Sequence, residues 1–364
     1  MKTSRRIISL CLALLMLTAL CTAAFAEEEP EKLSVAALKG PTAMGLVKLM
    51  EETDSSEELQ KKYEFTLAAS ADAVTPLLIK GELDMACVPA NLASVLYNKT
   101  EGQIITLAVN TLGVLYIVEN GESVHSLADL KGKSIAASGK GSTPEYTLRY
   151  LLSENGIDPD KDVMIDWKSE HSECVAALAA GTAEIALLPQ PFVTVAQNKI
   201  DGLRMALDLT EEWDKLGSGS GLITGVIAAR KDAVEAAPEA VDAFLAEYAE
   251  SVAWVNENTA EAAELIGNYG IVDASVAEQA LPYCNIVCIT GNAMQEKLSG
   301  YLQVLFDAAP AAAGGAMPEK DFYYGADKIP SNHYKPLLLH VFSVSRRGIE
   351  ARDRGLNTVT SQET

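Results

Sequence analysis

Segments of strand length alternate with segments of helical length along this chain, and the alternation runs twice. The first run has apolar stretches at 32–38, 63–69 and 84–88, with helical patterns at 46–50 and 73–80 between them. Strands separated by helices at this spacing form βαβ units around a parallel sheet. Two more apolar runs, 104–109 and 114–118, read as consecutive strands. Near Glu119-Asn-Gly-Glu-Ser123 the pattern restarts with strand 134–137, helix 144–155, strand 163–167, helix 174–180 and strand 185–188. The flexible stretch Gly217-Ser-Gly-Ser-Gly221 suits a crossover, and beyond it come a strand at 222–229 and helices at 238–256, 259–269, 275–280 and 292–308. This order predicts two α/β lobes, with the chain leaving the first, building the second and returning. Ligands of such folds sit in the cleft at the carboxyl ends of the strands. At 364 residues and 48% hydrophobic, the chain is long enough to give each lobe a core.

The two ends of the chain differ from its middle. Lys2, Arg5 and Arg6 precede an uncharged run at 7–26 that closes on Ala24-Phe25-Ala26, before Glu27-Glu28-Glu29. That is the pattern of a secretory signal peptide cleaved after Ala26, and it predicts an exported, extracytoplasmic protein. A membrane anchor of similar length is the competing reading, and the small residues at the cleavage site weigh against it. A lipid anchor at Cys21 is disfavoured, because Leu20 stands where a small residue is required. Residues 328–364 form an atypical basic tail, with Lys328, Lys335, Arg346, Arg347, Arg352 and Arg354. This tail reads as a disordered extension or a reading-frame artefact.

With 50 Asp and Glu against 29 Lys and Arg, the chain lacks the basic surface that nucleic acid or an anionic membrane requires. Four cysteines follow the leader: Cys87, Cys174, Cys284 and Cys288. Buried thiols are the first expectation and one disulfide the alternative. Cys284-Asn-Ile-Val-Cys288 has no second pair of metal ligands, so neither a zinc site nor a cofactor is expected.

Four loops stand where the fold would place a ligand. Gly40-Pro-Thr-Ala-Met-Gly45 follows the first strand, with Thr42 able to cap the next helix. Ser138-Gly-Lys-Gly-Ser-Thr-Pro144 repeats that chemistry in the second lobe, with Thr143 as cap and Pro144 as first helical residue. Helix starts of this kind favour a negative or hydrogen-bond-accepting group, yet neither loop carries a P-loop or dinucleotide signature. Asn91 ends Val88-Pro-Ala-Asn91, and Gln190 lies between Pro189 and Pro191. For each loop an ordinary capped helix or turn competes with the ligand reading. Of the four histidines, none stands with a nucleophile in a recognisable setting, and Glu170-His171-Ser172-Glu173 reads as a polar surface turn. Trp213 and Trp254 are expected in the core, with Trp213 also within reach of the cleft.

In this order the segments Ala37-Leu-Lys-Gly-Pro-Thr-Ala-Met-Gly45, Lys80-Gly-Glu-Leu-Asp-Met-Ala86, Val88-Pro-Ala-Asn-Leu-Ala93, Leu127-Ala-Asp-Leu-Lys-Gly-Lys133, Gly139-Lys-Gly-Ser-Thr-Pro144 and Leu188-Pro-Gln-Pro-Phe192 resemble ABC-importer substrate-binding proteins of the nitrate/sulfonate/taurine type. The resemblance, to the SsuA-like group that shares its domain with thiamine-pyrimidine-binding proteins, runs from Leu33 to Tyr324. It implies a periplasmic-binding-protein type II fold, with lobe 1 at 27–118 and 222–327, lobe 2 at 119–221, and hinge strands near Val118–Asn120 and Leu222–Gly225. It also implies ligand contacts at Thr42, Ala43, Asp72, Asn91, Ser142, Thr143, Gln190 and Thr224. Many relatives carry an acid where Gln190 stands, so the amide weakens the case for a cationic ligand. The implied partners are a small polar or anionic solute and a membrane permease, and the implied state is a monomer. A pyrimidine-synthase-like enzyme and a ligand-sensing module for a membrane receptor are the alternatives.

Overall fold

A computed structural model describes residues 32–217 and 219–326. The expected signal peptide, Cys21 and the basic tail lie outside the described residues.

The chain builds two sheets in succession. The first opens with β1 (Leu33–Leu38), a turn of helix α1 (Pro41–Met44), α2 (Val47–Ser55), α3 (Glu57–Lys62) and β2 (Tyr63–Ala68). It continues through α4 (Ala71–Lys80), β3 (Met85–Pro89), α5 (Ala90–Lys99) and β4 (Ile104–Leu112). The second holds β5 (Leu115–Glu119), β6 (Ser134–Ser138), α6 (Thr143–Glu154), β7 (Met164–Lys168), α7 (His171–Ala179), β8 (Ile185–Pro189), α8 (Phe192–Lys199), β9 (Arg204–Asp208) and α9 (Leu209–Lys215). The return brings β10 (Ile223–Arg230), α10 (Lys231–Ala236), α11 (Pro238–Glu257), α12 (Thr259–Asn268), α13 (Ala274–Ala280), β11 (Ile286–Ile289) and α14 (Gly291–Ala308).

The strand order is β11-β4-β10-β3-β1-β2 in one sheet and β7-β6-β8-β5-β9 in the other. β1 lies parallel to β2 and β3, and β6 parallel to β7 and β8. β10 runs antiparallel between β3 and β4, as β5 does between β8 and β9. Central strands such as β3, β5 and β8 are apolar at successive positions because helices cover both of their faces. α11 shows the matching helical logic: Pro238 occupies its first position, and Val241, Phe244, Leu245, Tyr248, Val252 and Val255 make one buried stripe.

One boundary differs from the sequence reading. β5 pairs with β8 and β9, so it belongs to the second sheet, and the chain crosses between sheets at 112–115 rather than near Val118–Asn120. Two consecutive apolar runs look alike in sequence, and long-range pairing decides which sheet each one joins. The return crossing lies between Lys215 and Ile223, where the Gly/Ser stretch placed it.

Hydrophobic residues form three clusters. One lies between the first sheet and α2, α11 and α12, and one between the second sheet and α7 and α8. The third runs across both lobes, joining Leu148, Leu151 and Trp213 of the second to Met294, Leu298 and Tyr301 of the first. All four cysteines are free thiols. Cys87, Cys174 and Cys284 are buried and Cys288 is partly so, and burial pushes the thiols of Cys87 and Cys288 up to about 12.

Candidate ligand-binding cleft

On the first lobe, β1 ends at Gly40, whose φ of 142° is open to glycine alone among common residues. Thr42 does not cap the turn that follows. Its Oγ1 donates back to Leu38 O at 3.1 Å, and its carbonyl accepts from Asn110 Nδ2 at 3.3 Å. Asn110 Oδ1 in turn accepts from Thr111 Oγ1 at 3.1 Å. Gly225 of β10 closes this group, because a Cβ there would lie 2.6 Å from both Asn110 Oδ1 and Thr42 Cγ2. Next to it Thr224 is 9% exposed, and its Oγ1 has no protein partner among the described residues. Ala43 faces away: its methyl is core and its N–H bonds Gly40 O. Asp72 is an exposed residue in the first turn of α4, beside the edge strand β2.

On the second lobe, β6 ends at Ser138 and the loop turns through Gly139 and Gly141, both at positive φ. Ser142 is the N-cap of α6 and Pro144 its second residue, one step from the expected arrangement. Ser142 Oγ donates to Gly139 O at 2.7 Å, and Glu145 Oε2 takes the Gly141 N–H at 2.6 Å. Gln190 is buried. Its Oε1 accepts from Thr194 Oγ1 at 2.9 Å, which leaves Nε2 as the uncommitted end of the amide among the described residues.

His171 overturns its expected place. Ser172 and Glu173 do face solvent, but His171 turns inward at the start of α7. Its Nδ1 lies 2.5 Å from Ser138 Oγ, and its ring packs 5.1 Å from that of Phe192, the first residue of α8. It also stands with a hydroxyl, contrary to the sequence reading. The missed signal was periodicity, because His171, Cys174, Val175 and Leu178 fall at helical spacing on one face.

Burial lowers the pKa of His171 from 6.5 to about 4, so the ring is neutral at pH 7. The unfolded chain then binds more protons than the folded one between those two values. The contribution of this half-buried ring to stability is therefore full above about pH 6.5 and falls as pH drops toward 4. Urea titrations at pH 7 and pH 4.5 should show a smaller acid loss for His171→Gln than for the parent. Equal losses would mean that His171 is hydrated in the native state.

Thr42, Asn91, Ser142 with Thr143, His171 and Gln190 follow the carboxyl ends of β1, β3, β6, β7 and β8 in turn, and Thr224 lies in β10. Two of them meet across the lobes: Thr143 Oγ1 donates to Asn91 Oδ1 at 3.2 Å, and both residues are wholly buried. None of the seven side chains carries a formal charge at neutral pH. A separate pocket of about 390 Å³, lined by Lys32, Met50, Tyr63, Phe65 and Tyr269 among others, lies at the outer edge of lobe 1 and shares no residue with the cleft.

Residues 53–280 match the family model described as ABC transporter, phosphonate, periplasmic substrate-binding protein. A crystal structure of an ABC transporter protein from Parabacteroides distasonis superposes with a TM-score of 0.65 at 22% identity, over 80% of this chain and 98% of that one. The periplasmic aliphatic sulphonate binding protein SsuA from Escherichia coli gives 0.63 at 17% identity, over 80% and 95%. At such identities the likeness establishes the periplasmic-binding-protein type II fold. The putative binding protein YtlA of Bacillus subtilis is 31% identical over 70 residues, which is 19% of this chain and 21% of that protein, so the match spans about a fifth of the relative's length. No helix among the described residues is long and apolar enough to cross a membrane. The family match, covering more than half of the chain and set on this fold, places the protein among the periplasmic substrate-binding proteins of ABC transporters, in the phosphonate-type family.

Proposed function

We propose that the interlobe cleft captures a small solute with an oxyanion head, of the phosphonate or sulfonate kind, and delivers it to a membrane permease by closure of the lobes. The observation that carries this reading is the Ser138–His171 pair at 2.5 Å, with Ser138 ending the strand whose loop leads into the twelve-residue helix α6. A helix N-terminus stabilises negative charge through its unsatisfied N–H groups and its dipole. A neutral imidazole and the Gln190 NH₂ add directed donors. The solute would touch Ser142, His171, Gln190 and Thr224. The Ala43 methyl is turned into the core.

Closure follows from differential contact: the solute favours the closed form only by what it gains from the second lobe. We take the working unit as a monomer exported by the N-terminal leader. An enzymatic role fits the site less well, because a base with a pKa near 4 is poorly matched to proton transfer at pH 7.

Thermal shift and calorimetry with methylphosphonate, methanesulfonate, nitrate and an aminopyrimidine test the reading. An oxyanion at a hundredfold excess over its Kd should add about 2.7 kcal/mol of apparent stability. His171→Ala should weaken its binding about tenfold or more. Stabilisation by the pyrimidine alone would overturn the oxyanion reading, and the His171–Phe192 ring pair would then be the wall of a heterocycle site. Turnover of the pyrimidine would favour the enzyme alternative.

A further inference from the structure

The two cleft residues that meet across the lobes also have their remaining groups committed. Asn91 Nδ2 donates to Ala312 O at 3.1 Å. Along the same face of α5, Ser94 Oγ donates to Ala313 O at 2.8 Å, and Asn98 Nδ2 donates to the carbonyls of Ala313 and Ala316 at 2.7 and 2.8 Å. This ladder anchors Asn91 to the first lobe and presents Oδ1 outward, where the second lobe offers Thr143 Oγ1. Asn91 and Thr143 are both 0% exposed, so no room remains for either side chain to reach a solute in this state.

The seam around them is built differently. α14 packs on β4 and α5 of its own lobe and on α6 of the other. There the Tyr301 hydroxyl lies beside Thr143 and Thr147, and neither Tyr301 Oη nor Thr147 Oγ1 makes a well-formed hydrogen bond among the described residues. Buried polar groups without partners disfavour the state that buries them, whereas a made bond favours it. The seam therefore holds one well-formed polar contact, Asn91–Thr143, beside hydroxyls whose hydrogen bonds are poorly formed.

We infer that the Asn91–Thr143 hydrogen bond is an interlobe latch that sets how far the solute-free protein closes, and that these two residues act on the lobes rather than on the solute. This inference rests on the reading that the lobes open and close. It assigns the latch a defined chemistry: without the Thr143 hydroxyl, Asn91 Oδ1 is buried unpaired in the closed form and hydrated in the open one. The solute-free equilibrium must then move toward opening.

The test uses the full chain without added solute. Thr143→Val removes the hydroxyl at nearly constant volume, and Thr143→Ser keeps it. Small-angle scattering and hydrogen exchange should show a more expanded Val variant, with faster exchange at 91–94 and 143–147, and a Ser variant like the parent. With methylphosphonate as probe, the Val variant should bind about tenfold more weakly and regain the parent's compactness at saturation. A solute-free Val variant as compact and as protected as the parent would overturn the latch. Because scattering is read before any solute is added, failure of methylphosphonate to bind would count against the oxyanion reading alone.

Discussion

Alanine in place of Trp213 should lower the unfolding free energy by about 3–5 kcal/mol, the range for deleting a buried tryptophan. Trp213 is fully buried at the end of the second lobe, with its ring 4.9 Å from Tyr150 and 5.4 Å from Tyr301. Tyr150 belongs to α6 and Tyr301 to α14, so one indole joins both lobes through two tilted aromatic pairs. Its Nε1 also donates to Ser220 O at 2.8 Å, which ties down the return crossing. Trp213→Phe separates the effects: most of the packing survives while the Ser220 carbonyl loses its donor, and the loss should fall to about 1–2 kcal/mol. Urea unfolding followed through the remaining Trp167 and Trp254 measures both variants. A loss under 1.5 kcal/mol for alanine, by the cavity argument, would show that the seam relaxes around the gap.

Gly225→Ala should be costly for the opposite reason. The new methyl would lie 2.6 Å from Asn110 Oδ1 and Thr42 Cγ2 and 3.2 Å from Thr111 Oγ1, and β10 is held between β3 and β4, so the strand has nowhere to retreat. Overpacking of this kind costs about 1–3 kcal/mol. The relief available is movement of Thr42 and its neighbour Thr224, which lie at the cleft, so solute affinity should fall along with melting temperature. Calorimetric scans and methylphosphonate titration read the two effects separately. An unchanged melting temperature would mean that the Thr42–Asn110 pair has slack which the 3.3 Å bond does not suggest.

Much of this architecture is legible in the order of residues. The two βαβ runs, the Gly/Ser return crossing and the long C-terminal helices follow from local periodicity and turn chemistry, which act over a few residues. The loop order that carries the family resemblance lies on those same short segments. What escaped is a short polar helix and what is decided by pairing at a distance. α3 was missed although Ser56 caps it, Glu57 and Glu58 stand in its first turn and Lys61 and Lys62 in its last, because polar surface helices carry a faint apolar signal. His171 was placed at the surface because its neighbours are polar, and its partners Ser138 and Phe192 come from β6 and α8.

By itself, then, the sequence determined the class of fold and the family, since each depends on short-range pattern. Tertiary structure decided that β5 joins the second sheet, that His171 turns inward beside Ser138, and that Asn91 and Thr143 bond each other across the lobes. The physical reason is the same each time: a hydrogen bond or a buried ring needs a partner, and the partners here lie 33 and 52 residues apart along the chain.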